Sequence, residues 1–591
     1  MKKYGILLFV LSLLLFSTSS YANTASGDVF TDVPQDSWAK EYIYTLKELN
    51  ITNGQGNGLF GYDSSITRAE FLTFLVRTLN IDITAASKDD IEIFSDVKVN
   101  NWHYPYINLG LANSIIDAEE YAENEFEPDR KITREEMAIM IVRALQYDYL
   151  ARLISNELDT VEFSDVKSSQ GYIALAKDFG IINGRSTELF VPQGDARRQE
   201  AAAMLVRMHQ VLNHKLQDLN GFYAIKASPQ IDKINIFDSI SFGWSRLEYN
   251  AETALVELST DYAVNKDFWV PDGFERPITE TEKSQAEKYI MVFATNDTKV
   301  NIGDQRIGLV SLLLSSEQSV QQVKNSIVDL VNNLKKDGFE ADFDGVVIDF
   351  EALRNSEQDK QEYIEFLTIL KQELGKKDKK LIVCVNPIRQ IGQAYYDGYD
   401  FKSIGEIADK VILMAHDYEP KMLRQEDTNS FSPNTPTPLA PIKDVYYALR
   451  YAVNQDTGIP REKLLLQINF GSAQWNFIDG VVENTIPYTL SSYEVLRDKM
   501  SDGRLVDKQY QYSNNMQAPS FVFTDPETNT KKVIWYEDYR SVEAKIRLAR
   551  LFGIEGMSVW RLGMIPTIEE LPGQQPYHLN VLPLLEGISK R

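Results

Sequence analysis

The chain has 591 residues, 43% of them hydrophobic and 25% charged, which excludes a disordered or collagen-like chain and implies more than one domain at roughly 100–200 residues each. Acidic residues outnumber basic ones by 85 to 61, a net charge of −24; no wide basic surface remains, so nucleic-acid binding is not expected. One cysteine, Cys384, excludes an intrachain disulfide, and five histidines with no HExxH spacing and no neighbouring Cys pair give no reason to expect a metal or other cofactor.

At the N-terminus Lys2 and Lys3 precede an apolar run from Ile6 to Phe16, followed by Ser17-Thr18-Ser19-Ser20-Tyr21-Ala22. A charged start, a short apolar run and a small-x-small site read as a secretory signal over 1–22. The run is short for ~30 Å of hydrocarbon, and no second one follows, so no membrane span is expected after its removal. Secretion without disulfides points to a bacterial envelope, where cores of this size suffice.

Three repeats come next. Phe30-Thr31-Asp32-Val33 recurs as Phe94-Ser95-Asp96-Val97 and Phe163-Ser164-Asp165-Val166. Trp38 and Trp102 stand eight residues after the first two phenylalanines; the third repeat has Gly171 there, beside Tyr172. An amphipathic helix follows in each, such as the one carrying Ala39, Ile43, Leu46 and Leu49. After a polar loop come Phe60, Phe126 and Phe190, then Thr67-Arg68-Ala69-Glu70, Thr133-Arg134-Glu135-Glu136 and Arg197-Arg198-Gln199-Glu200. The aligned arginines are 66 and 64 residues apart, the mark of one repeated structural unit. Gly56-Asn57-Gly58-Leu59-Phe60-Gly61 matches G-x-G-x-x-G but follows a helix inside a repeat, so the dinucleotide reading fails its context.

Thr-x-x-Glu is a capping box, in which the Thr hydroxyl accepts from the N3 amide and the Glu reaches back to the cap amide. The arginine beside it opposes the helix dipole. An arginine at that place three times in register faces either an anion or solvent, and the anion is the preferred reading.

These motifs resemble the S-layer homology module over about residues 28–215. The repeats are expected at 28–90, 91–158 and 159–217. The resemblance implies a helical three-pronged assembly that binds anionic secondary cell-wall polysaccharide, with Arg68, Arg134 and Arg198 as ligand arginines and Trp38 and Trp102 near the same grooves. It also implies a secreted protein attached to the cell wall or S-layer. The third repeat departs at Arg197 and Gly171, which suggests a structural groove there, and Asp195 offers itself as the helix cap.

From about Phe222 strands and helices alternate. Strand-like runs are Tyr223–Lys226, Ser239–Gly243, Ile290–Thr295, Gly345–Phe350, Leu381–Val385, Lys410–Ala415, Leu464–Phe470 and Gly556–Trp560. Helical stretches include Ser319–Lys336, Lys360–Lys376, Val445–Val453 and Tyr539–Phe552. Eight Val/Ile/Leu-rich strands alternating with helices predict an α/β fold, a (β/α)8 barrel over 218–591. A small α+β insertion at about 473–539, with a hairpin of Ser520–Thr524 and Lys532–Tyr536, is expected to wall one side of the barrel mouth.

The fourth strand reads Asp344-Gly345-Val346-Val347-Ile348-Asp349-Phe350-Glu351. Side chains alternate, so Val347, Asp349 and Glu351 share one face. Two carboxylates at the C-terminal end of a barrel strand lie where this fold puts chemistry, and a charge in so apolar a strand is costly without a purpose.

The strand resembles the D-G-x-D-x-D-x-E signature of family 18 glycoside hydrolases, and the resemblance covers roughly 222–591. Met414-Ala415-His416-Asp417-Tyr418 sits where that family has M-x-Y-D, and Trp560 sits on the last strand. The segment from Val533 to Gly563 looks like the cell-wall-lytic branch. Carried over, Glu351 is the general acid/base, Asp349 orients the sugar's acetamido group, Asp417 contacts the reacting sugar, Trp560 floors its subsite, and Asp344 belongs to the substrate-binding set. The family's mechanism is substrate-assisted: the N-acetyl oxygen attacks C1. Glu351 must then start protonated, with an ionised Asp349 raising its pKa. Val347 replaces the signature's middle Asp, and His416 replaces a Tyr whose role His416 or Tyr418 would take. The resemblance thus implies a wall-attached glycosidase cleaving β-1,4 glycans that contain N-acetylglucosamine, peptidoglycan before chitin because no separate chitin-binding module is recognisable. The alternative is an inactive barrel kept as a wall lectin.

Overall fold

The computed structural model describes residues 30–85, 92–155, 163–354, 356–388, 398–418, 438–484, 486–569 and 577–588; the expected signal sequence lies outside them. The N-terminal part is mainly helical. Each repeat pairs a short first helix (Lys40–Glu48, Tyr104–Ala112, Gln170–Asp178) with a second that begins at its arginine (Arg68–Thr78, Arg134–Ala144, Arg198–Leu212). The Asp of each opening motif holds the loop before the second helix. Asp32 accepts the amides of Phe60, Gly61 and Tyr62 at 2.7–2.8 Å, Asp96 those of Phe126 and Glu127, and Asp165 those of Phe190 and Val191.

Both Thr-x-x-Glu capping boxes form. In the third repeat the cap position is Arg197, whose amide donates to Glu200 Oε2 at 2.8 Å. Asp195 does not cap that helix, contrary to expectation; it sits two positions before the cap and faces Lys131 at 3.4 Å. Each capping glutamate divides its oxygens. Oε2 takes its own cap amide, while Oε1 takes an arginine from another repeat: Arg68 Nη2 on Glu136 at 2.6 Å, Arg134 Nη1 on Glu200 at 2.9 Å, Arg198 Nη1 on Glu70 at 2.9 Å. The pairing runs in a circle. Backbone bonds follow it, Ile132 N–H to Ile66 O, Ala196 N–H to Ile132 O and Ile66 N–H to Ala196 O. The three repeats therefore close into a ring.

An extra helix, Asp148–Ser155, follows the second repeat and packs against Gln170–Asp178. A Cβ on Gly171 would lie 1.9 Å from Ala151 O, so no tryptophan fits the third repeat. The repeats also dock on the barrel: Arg450 and the Tyr446 hydroxyl meet Asp178, and Phe179 packs edge-on to Phe552 at 5.4 Å.

The barrel strands are β1 Asp218–Tyr223, β2 Ser239–Asn250, β3 Glu287–Thr295, β4 Gly345–Glu351, β5 Lys380–Val385, β6 Lys410–Leu413, β7 Leu464–Asn469 and β8 Gly556–Trp560. All eight pair in parallel, and β1 joins both β8 and β2, which closes the (β/α)8 barrel. A ninth strand, Leu255–Ser259, folds back antiparallel on β2. Outward residues such as Val346, Ile348 and Phe350 pack beneath the helices, while Val347 joins Phe222, Met291, Ile382, Cys384 and Ile412 in the barrel interior. Among its described residues the insertion after β7 is a five-stranded antiparallel sheet with the helix Tyr493–Ser501, and its predicted hairpin is Ala518–Asp525 with Thr530–Trp535.

Candidate active site

A cavity of about 790 Å³ opens at the C-terminal ends of the strands. Asp349 and Glu351 from β4, Met414, His416 and Asp417 beyond β6, Gln467 from β7 and Trp560 from β8 all line it. Alternation along β4 brings the two carboxylates to the cavity, with Asp349 deeper, at 4% exposure, on a floor of Val347 and Cys384. Burial first, and the charge of Glu351 second, hold the Asp349 pKa well above the usual carboxylate range. Burial thus favours the neutral form of Asp349, the opposite sense to the ionised Asp349 expected from the resemblance. An apolar valine beneath it offers no charge or hydrogen bond to offset desolvation. The pair titrates as a unit.

His416 is nearly enclosed. Its Nε2 lies 2.7 Å from Gln467 Oε1 and its Nδ1 3.3 Å from Asp417 Oδ2. Burial opposes the charged ring, but Asp417, Gln467 and Glu351 together outweigh it and raise the His416 pKa. Asp417 has a left-handed backbone, φ 60°, and accepts from Asn469 Nδ2 at 2.6 Å. Trp560 packs on Phe222 and Phe268, at 5.3 and 6.3 Å between centroids.

Two expected site residues fall elsewhere. Asp344 precedes β4 at the opposite, N-terminal end of the barrel, where Oδ2 accepts the Lys288 amide at 2.8 Å. It is a strand anchor and cannot reach the cavity, so its substrate-binding assignment is corrected. Tyr418 is not among the lining residues; it packs against the main core.

Among the described residues the insertion contributes none to the cavity lining, contrary to expectation. The wall on one side comes from β2 and the segment after its partner strand, through Arg246, Glu248, Lys266, Asp267 and Phe268. Arg246 organises this wall: Nε donates to Glu248 at 2.9 Å and Nη1 to the carbonyls of Asp261 and Phe268 at 2.9 and 3.0 Å. The sequence reading ended β2 at Gly243, where the strand register shifts between Phe242 and Ser245. The run Ser245-Arg246-Leu247-Glu248-Tyr249 alternates beyond it and carried the missing signal. Gln467 was also missed; an amide within Leu464-Leu465-Leu466-Gln467-Ile468 needs a buried partner.

In the repeats, Arg68, Arg134 and Arg198 are buried at 3–4% exposure, so they are not solvated surface groups. The anion each faces is the capping glutamate of another repeat. They stack on Phe126, Phe190 and Phe60 respectively, at 4.6–5.6 Å. Arg68 also lines a cavity of about 440 Å³ with Tyr121, Glu127, Arg130 and Glu136. Trp38 and Trp102 do not line it and stand exposed, at 58% and 57%. Among the described residues no helix is long and apolar enough to cross a membrane.

The model for glycosyl hydrolases family 18 matches residues 301–564, and the S-layer homology domain matches residues 29–72, 93–138 and 162–202. The cortical fragment-lytic enzyme of Bacillus subtilis is 27% identical over 295 residues, 49% of this chain and 59% of its own length. The amylopullulanase of Thermoanaerobacterium thermosulfurigenes is 33% identical over 191 residues, 32% of this chain and 10% of its own. The chain thus spans less than two thirds of these relatives. The crystal structure of the Bacillus cereus spore cortex-lytic enzyme SleL aligns over 63% of this chain and 75% of its own at 19% identity, with a TM-score of 0.46.

Proposed function

We propose, from the premise that this chain belongs to glycosyl hydrolase family 18 through its barrel and carries three S-layer homology domains, that it is a wall-attached hydrolase of β-1,4 glycans containing N-acetylglucosamine. The observation that carries this reading is the Asp349–Glu351 pair at the strand end, beside Asp417 and Trp560 in one cavity. Catalysis is substrate-assisted. The sugar stacks on Trp560, and Asp417 holds it. Its acetamido oxygen attacks C1, and Glu351 protonates the leaving oxygen. Asp349 starts protonated beside Glu351. The pair gives its proton to the leaving group through Glu351, and the ionised Asp349 then balances the positive oxazolinium. Water reopens that ring with Glu351 as base, so the product keeps the β-configuration.

Peptidoglycan is the favoured glycan. The repeats would hold the barrel at secondary wall polysaccharide through the exposed Trp38 and Trp102, on grooves that the buried Arg68, Arg134 and Arg198 brace from within. The name of the Bacillus subtilis relative agrees with a wall glycan. The second reading, a wall lectin, is favoured by Val347 under Asp349. Glu351→Gln decides between them. Hydrolysis of peptidoglycan, followed by reducing-end release, should fall ~10²–10⁴-fold while glycan binding persists. A wild type that binds but cleaves neither peptidoglycan nor chitin oligosaccharides gives the lectin reading, and inversion at C1 overturns the mechanism.

A further inference from the structure

Gln467 has no part in the chemistry above. Its side chain points into the barrel at 3% exposure, where an amide must satisfy both its ends. Nε2 donates to Ser558 Oγ at 3.3 Å, Ser558 Oγ donates to Asn220 Oδ1 at 3.0 Å, and Asn220 Nδ2 donates to Ser239 Oγ at 3.0 Å and Ser241 Oγ at 2.9 Å. This relay crosses the barrel from β7 through β8 and β1 to β2, and each member is at most 3% exposed. Its direction leaves Gln467 Oε1 for His416, so the His416 nitrogen 2.7 Å away, Nε2, carries a hydrogen. At the other nitrogen a lone pair would face the Asp417 carboxylate at 3.3 Å, whereas a proton there is attracted to it. The second oxygen of Asp417 is taken by Asn469.

We propose that Gln467 and His416 are positioning residues: the buried amide relay fixes the His416 ring as a doubly protonated imidazolium, which with Asn469 clamps the Asp417 carboxylate toward the sugar. The sugar's presence rests on the hydrolase reading; the clamp does not. With Nε2 bonded to Gln467 and Nδ1 turned to the Asp417 carboxylate at 3.3 Å, an ion-pair contact without hydrogen-bond geometry, His416 acts through Asp417 and not as a donor to substrate. The charged groups facing the ring are Asp417 on its own segment and Glu351 on β4; β7 presents neutral Gln467. The raised pKa of the ring has the same sense. A raised histidine pKa makes the clamp present at low pH and lost as pH rises through the folded value. It therefore forms the alkaline limb of kcat/KM.

The test uses the full chain labelled with ¹⁵N-histidine, with the His416 ring signals assigned by their loss in His416→Gln. Gln467→Glu keeps the acceptor and adds a negative charge, so the ring titration and the alkaline limb should both move up by about half a pH unit or more. Gln467→Leu removes the acceptor and should move both down. Ser558→Ala loosens the amide without touching the ring, and should move them down by less. The clamp is overturned if the ring titrates alike in wild type, Gln467→Glu and Gln467→Leu, or if wild-type Nε2 carries no proton at about pH 6. If the ring shifts as stated but the wild type cleaves no glycan, the hydrolase reading fails and the clamp stands. If glycan is cleaved and the ring does not shift, the clamp alone fails.

Discussion

Arg134→Ala separates a strut from a ligand group. Arg134 is 3% exposed; Nε donates to Phe190 O at 2.8 Å, Nη2 to Asn183 O at 2.7 Å and Nη1 to Glu200 Oε1 at 2.9 Å. Alanine strands two carbonyls and removes the cross-repeat partner of a largely buried carboxylate. Breaking a buried ion pair costs about 3–5 kcal/mol. Arg185 also holds Glu200, at 3.1 Å, so the lower end applies, about 3 kcal/mol. In a unit of this size each kcal/mol lowers Tm by ~2–4 °C, so the repeats should melt ~6–12 °C earlier. Scanning calorimetry of the full chain reads this, and co-sedimentation with isolated walls, well below both transitions, reads attachment. A surface arginine would cost under ~0.5 kcal/mol. A variant that melts with the wild type but no longer sediments would refute the strut and leave Arg134 as a ligand group.

Three further outcomes follow from the geometry. Folding raises the Asp349 pKa above the ~3.9 of the unfolded chain; its contribution is therefore full at low pH and lost as pH rises toward the folded value. Asp349→Asn should accordingly be more stable than wild type at pH 7, with the gain gone by about pH 4 in urea titrations; a less stable variant at pH 7 contradicts this. Gly171→Ala pushes a Cβ into Ala151 O and should cost ~1–3 kcal/mol by thermal melting; an unchanged Tm would mean the extra helix is not seated there. Because Trp38 and Trp102 are exposed, replacing both with Ala should leave Tm unchanged yet weaken wall co-sedimentation, and undiminished sedimentation would remove them from the binding surface.

Seven of the eight strands are legible as apolar runs between turns, and the one that carries Asp349 and Glu351 is placed to within one residue at its end; the first, expected at Tyr223–Lys226, lies at Asp218–Tyr223, where Asp218, Asn220 and Gly221 break the apolar run. The rest depended on contacts remote in sequence. The arginines read as awaiting an anion, but their glutamates come from a different repeat, and spacing alone does not pair residues 66 or 128 positions apart. Asp344 was misassigned because a motif carries neighbours along a strand, while the strand separates its two ends by the height of the barrel. The rise of the Asp349 pKa turns on what lies beneath it, Val347 on its own strand and Cys384 on the next, and desolvation is a property of that assembled floor.

The circle of Arg68–Glu136, Arg134–Glu200 and Arg198–Glu70 has a consequence for how such a protein changes over time. A solenoid can shed its last repeat and expose one new face. Here every repeat both lends an arginine and receives one, so losing any of the three strands two charges at once and opens the backbone circuit through Ile66, Ile132 and Ala196. The copy number is locked at three. That lock explains why the third repeat survives with Gly171 in place of a tryptophan: it remains indispensable as a keystone, and is free to turn its outer face to the barrel.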